Sequence, residues 1–153
     1  MKLERIVGVI EGISRYPFDQ IYDFYFTDSR LVVATIVQPI DFAEMYTRRI
    51  MEDMIIGGSW RRRAIRAKSQ VLAEERRNGL KGKTPTEILS IREGSFEIPY
   101  KVMSSIEAKK GILGSKLRVI VTGNNRKRSL SVPLTRSQLE DANQIIKEID
   151  RQT

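Results

Sequence analysis

The chain has 153 residues, 41% of them hydrophobic, and a net charge of +8, which fits one ordinary domain with a real core. It contains neither cysteine nor histidine. That excludes a disulfide framework and thiolate chemistry, and it removes the usual general base and the commonest zinc ligand, so most hydrolases, redox enzymes and transition-metal sites are disfavoured.

The N-terminal "MKLERIVGVIEGISR" carries Lys2, Glu4, Arg5 and Glu11 and has no signal-like apolar core. No run of about 18 apolar residues occurs, so no transmembrane segment is expected, and a cytoplasmic location is the expectation. "RIVGVIEGI", Arg5 to Ile13, is β-branched and reads as a first strand with glycines at Gly8 and Gly12. "SRYPFD" is a turn-like link. "DQIYDFYFTD" alternates, with Tyr22, Phe24 and Phe26 on one face and Ile21, Asp23 and Tyr25 on the other. Asp23, a carboxylate on a strand, is expected on the solvent face. "TDSR" is a tight hairpin, and "RLVVATIV", Arg30 to Val37, is a continuous apolar strand.

The period then changes. Pro39 ends the strand and Asp41 is placed to cap a helix on which Phe42, Tyr46, Ile50 and Met54 recur every four residues. Gly57 and Gly58 break or bend it, since each glycine costs about 1 kcal/mol in a helix interior. The next segment, "SWRRRAIRAKSQVLAEERR", reads as a second helix. Trp60, Ala64, Ala67 and Val71 share one narrow face of its wheel, and Arg62, Arg63, Arg66, Arg76 and Arg77 occupy the far, solvated arc. "NGLKGK" is a loop. Between Arg61 and Lys83 nine basic residues face only Glu74 and Glu75, so this segment alone carries +7. Such a charge steers encounters with anions without determining the fold.

"TPTEILSIREG" is the sharpest local signal. Thr84 is an N-cap, Pro85 takes the first helical position, Glu87 closes a capping box and Gly94 stops the helix. Strands return in "SFEIPY", "VMSSIEAKK", "SKLRVIVT" and "KRSLSVPL", the last two joined through Gly123 to Asn125. Val102, Ser104, Ile106 and Ala108 share a face, as do Leu117, Val119 and Val121, and Leu130, Val132 and Leu134. The final helix, residues 135–152, begins at Thr135 or Ser137. Glu140 completes a box with Ser137, and the apolar stripe is Leu139, Ala142, Ile145, Ile146 and Ile149.

The count is seven strands, a helical hairpin inserted after the third over residues 39–83, and one closing helix. This predicts a mainly β, α+β single domain over residues 1–153: an antiparallel, partly open barrel capped by the C-terminal helix. Three pieces carry a resemblance. They are "YFTDSRLVV", Tyr25 to Val33, then "SFEIPYKVMSSIEAKKG", Ser95 to Gly111, and "SKLRVIVTGNNRKRSLSVP" with the final helix. Together they resemble the bacterial and archaeal pleckstrin-homology-like (PH-like and GRAM-like) domains. The resemblance implies a PH-like fold and a binding role toward phosphoinositides, other lipids, peptides or partner domains. Lipid-binding relatives of the eukaryotic type place a basic cluster in the first hairpin, where this chain has Arg15 alone. Its positive charge lies in the insertion instead.

No pairing of carboxylates fits acid–base work, and "GNNRKRS" is not a phosphate loop. Arg126, Lys127, Arg128, Lys109 and Lys110 read as charges that protect hairpin tips and edges. The expectation is therefore a non-enzymatic binding or assembly module with no cofactor and no metal. Its candidate site residues are Trp60, Arg61, Arg62, Arg63, Arg66, Arg76 and Arg77. Tryptophan and arginine favour a protein partner or a homodimer. An anionic membrane surface and nucleic acid are the other partners this charge admits, nucleic-acid binding by the same helix being the competing function.

Overall fold

The computed structural model describes residues 2–15, 20–38, 41, 58–123 and 125–152, the side chains of residues 15 and 58–65 excepted. The helix expected from residue 42 onward lies outside the described residues. Strands β1 (Ile6–Arg15), β2 (Gln20–Thr27) and β3 (Arg30–Val37) are followed by helix α1 (Gly58–Leu80) and helix α2 (Pro85–Ile91). Strands β4 (Phe96–Pro99), β5 (Met103–Gly111), β6 (Gly114–Gly123) and β7 (Arg126–Leu134) precede the final helix α3 (Arg136–Gln152). The strands form two antiparallel sheets, in the orders β1-β2-β3-β4 and β5-β6-β7. The fold is α+β and mainly β, and the sheets do not close into one barrel.

The alternation read from β2 explains why one sheet supports two cores. Phe24 and Phe26 face the first core together with Leu31 and Val33 of β3, Leu117 and Val119 of β6, and Val132 of β7. All five apolar residues of the α3 stripe join this core, Ala142, Ile145 and Ile149 buried and Leu139 and Ile146 packed against them. The opposite face of β2 and β3 carries Tyr25, Val32, Ala34 and Ile36 into a second core, closed by Ala73 and Leu80 of α1 and Ile88 of α2. Strand β3 is thus buried on both sides, the physical reason that Thr35 is the one polar residue between Leu31 and Val37.

Close approach sets where α3 sits. A Cβ on Gly8 would lie 2.5 Å from Cγ1 of Ile145, so only glycine lets this helix lie against β1. Thr135 caps α3, accepting from the Gln138 N–H at 3.2 Å while the Gln138 side chain accepts from the Thr135 N–H at 2.9 Å. Of the two expected caps Thr135 is the one used, and its box with Gln138 lies two residues before the expected Ser137–Glu140 pairing. The Thr84–Glu87 box of α2 is formed as expected. In the β2–β3 hairpin, the Thr27 hydroxyl donates to Arg30 O and accepts from the Ser29 and Arg30 N–H groups. Arg30 grips Glu4 through two bonds of 2.8 Å and also pairs with Glu97, tying the N-terminal segment and β4 to the start of β3. No helix among the described residues is long and apolar enough to cross a membrane.

Candidate binding site on the basic helix

Helix α1 lies against the outer face of the four-stranded sheet with a different side from the one its wheel predicts. Val71 is 67% exposed and Ala67 is exposed, so the described part of the expected apolar face looks into solvent. The buried side is Ser69, Ala73 and Leu80, with Leu72, Arg76 and Arg77 half-buried along it. The helix also runs through Asn78 to Leu80, because Leu80 is buried in the second core; Gly82, at φ 77°, then turns the chain.

Two carboxylates under the helix account for this rotation. Asp23, expected on the solvent face, is 0% exposed. Its Oδ2 accepts from Arg77 Nε at 2.7 Å and its Oδ1 from Arg77 Nη2 at 2.8 Å, a bidentate pair. Oδ1 also accepts from the Gly12 N–H at 2.9 Å. Gly12 has φ 71° within a β-bulge between Ile10 and Ile13, and that kink places its N–H over the carboxylate. Glu11 adds a looser contact to Arg77 at 3.8 Å. Leaving Asp23 buried without a cation would cost several kcal/mol, whereas burying Val71 would return only about 1.5–3 kcal/mol. The charge pair therefore decides which side of α1 faces the sheet.

The neighbouring arginine repeats the arrangement. Arg76 donates to both oxygens of Asp41 at 2.8 and 2.9 Å and to the Ile36 carbonyl at 2.6 Å. Asp41 also accepts from the Gln38 N–H at 2.8 Å and, more loosely, from Arg92 at 3.3 Å. Arg76 holds the Asp41 carboxyl well below the usual carboxylate range, against the opposing effect of burial, with Gln38 and Arg92 adding to the shift. Asp23 holds the Arg77 guanidinium above its ordinary value. Burial, helped by the charges of Asp23 and Glu11, pushes the Tyr25 phenol up to about 12. Beside these pairs a cavity of about 260 Å³ opens between α1, α2 and β3, lined among others by Thr35, Arg76, Leu80, Ile88 and Arg92. The buried Thr35 hydroxyl finds no hydrogen-bond partner there among the described residues.

The seven expected site residues thus divide. Trp60, Arg61, Arg62 and Arg63 lie on the backbone of α1, and their side chains are outside the described ones. Arg66 is exposed, with Lys68, Gln70, Glu74 and Glu75. Arg76 and Arg77 leave the expected solvated arc and tie the helix to the sheet. Sequence reasoning missed Asp23, Asp41, Arg92 and the Gly12 amide as their partners. The available signal was an aspartate flanked by aromatic residues on a strand whose two faces both carry apolar side chains. Arg126, Lys127 and Arg128 are exposed at the β6–β7 tip. Compared with known protein families, with curated proteins and with solved structures, the chain matches none.

Proposed function

We infer that this chain is a non-enzymatic binding or assembly module of PH-like design, engaging a protein partner or a second copy of itself through α1. The observation that carries this reading is the pair of bidentate arginine–carboxylate clamps, Arg77–Asp23 and Arg76–Asp41. They hold the C-terminal half of the helix against the sheet and fix its rotation, so Lys68 and Val71 are held outward, with Arg66 exposed on another side of the helix. Preorganisation lowers the ordering cost of association. An exposed valine flanked by Lys68 on a helix that also carries Trp60 and several arginines offers residue types found at interface hot spots. A four-stranded and a three-stranded antiparallel sheet with a C-terminal helix against the first core support the PH-like part of the reading.

Light scattering of the full chain at about 50 mM and about 500 mM salt tests it. A dimer at both salts, reduced to monomer by Val71→Asp or by Arg62→Glu with Arg63→Glu and Arg66→Glu, is the expected result for a second copy. A monomer whose capture of an isolated partner protein is abolished by the same substitutions supports the heterotypic form. A monomer that instead binds duplex DNA or RNA, with affinity falling log-linearly with salt, would transfer the helix to nucleic-acid binding. Substitutions that change neither mass nor any binding would refute the role of α1.

A further inference from the structure

The β5–β6 hairpin ends in two aliphatic residues that the fold does not use. Gly111 pairs with Gly114, leaving Ile112 and Leu113 as the two residues of the turn. They are fully exposed, at 105% and 93%, more than any other large hydrophobic residue described. The turn does not require them. Its positive-φ position is Gly114, at φ 115°, so polar residues at the tip would satisfy the backbone equally well. Lys109, Lys110 and Lys116 stand just behind, all exposed. Lys109 and Lys116 are direct cross-strand partners, an arrangement in which like charges repel. Glu107 offsets Lys109 at 3.2 Å, and no carboxylate among the described residues pairs with Lys110 or Lys116.

We propose that this hairpin tip docks on an anionic lipid bilayer, with Ile112 and Leu113 inserted and the three lysines at the headgroups. The spacing fits. Lys110 lies two residues behind Ile112, Lys109 three, and Lys116 three behind Leu113, which at about 3.3 Å per residue sets their Cα atoms roughly 7–10 Å from the tip. Interfacial segments bury their apolar side by about 5–10 Å, so lysines at this distance reach the phosphate layer. A protein groove would accept the aliphatic pair equally, but it would need an acidic rim to meet the unpaired lysines. A bilayer containing anionic lipid supplies both chemistries in that order of depth. The proposal does not depend on the role assigned to α1.

Sedimentation of the full chain with phosphatidylcholine vesicles, with and without about 30% phosphatidylserine, tests it. Wild type is expected to bind the anionic vesicles at least about tenfold more tightly than the neutral ones, and to lose that binding in Ile112→Asp/Leu113→Asp. Lys110→Gln and Lys116→Gln are each expected to weaken it about fivefold. Because the tip touches no core, these variants should melt with the wild type, and that melting is checked alongside. Failure of wild type to bind anionic vesicles would overturn the proposal. So would undiminished binding by the Ile112→Asp/Leu113→Asp variant, or binding lost only with Arg62→Glu, Arg63→Glu and Arg66→Glu on α1. A fall in solution mass in Ile112→Asp/Leu113→Asp without any vesicle effect would assign the tip to self-association and overturn it as well.

Discussion

Replacing Arg77 by methionine keeps most of the aliphatic stem and removes the guanidinium, with its charge and its two hydrogen bonds to Asp23. Asp23 would then be a carboxylate at 0% exposure with the Gly12 N–H as its remaining partner among the contacts described above. Removing one member of a buried pair costs about 3–5 kcal/mol. The Arg77 side chain is 21% exposed, so water can enter the vacated space, and Gly12 continues to solvate one oxygen. Both effects place the expected loss near the lower end, about 3 kcal/mol, or about 6–12 °C in Tm for a chain of this size. Urea unfolding of Arg77→Met, Asp23→Leu and the double variant measures it. The double variant removes both charges and is expected within about 1 kcal/mol of wild type, giving a coupling of at least about 2 kcal/mol. The matched control Arg66→Met, at an exposed position, should change stability by less than about 0.5 kcal/mol. If Arg77→Met also falls within about 0.5 kcal/mol at unchanged m-value, the clamp does not hold α1 to the sheet and the reasoning fails.

The Asp41 clamp carries a pH signature. Its folded pKa is depressed below the unfolded value of about 4, so its contribution is complete above about pH 5 and is lost as pH falls through the folded value. Unfolding free energy should therefore decline below about pH 5, and Asp41→Asn should be less stable at neutral pH with a flatter acid limb; equal slopes in the two proteins would contradict this. Gly8→Ala forces a methyl to 2.5 Å from the Ile145 side chain and should cost about 1–3 kcal/mol. In an Ile145→Ala background the same substitution should cost almost nothing, and additive losses measured by denaturant unfolding would show that the helix is not seated against Gly8.

Strand periods, the Thr84–Glu87 capping box and the α3 stripe were legible because each rests on residues within one or two turns of each other. Local alternation also assigned the two faces of β2 correctly, Phe24 and Phe26 to one core and Tyr25 to the other. It could not say that the second face was covered. That coverage comes from α1 and α2, which lie many residues downstream, and it is what makes Asp23 a buried charge. The rotation of α1 follows from the same long-range fact. A helical wheel weighs only the helix's own side chains, and there Val71 outranks Arg77. The partners that reverse this order, Asp23 and Asp41, are separated from their arginines by 54 and 35 residues. The sequence by itself determined the strands, the α2 capping box, the α3 stripe and the concentration of charge between Arg61 and Lys83. Only the tertiary structure decided which of those charges face solvent, because desolvating a carboxylate costs more than exposing a valine, and that comparison exists only once the sheet and the helix are in contact.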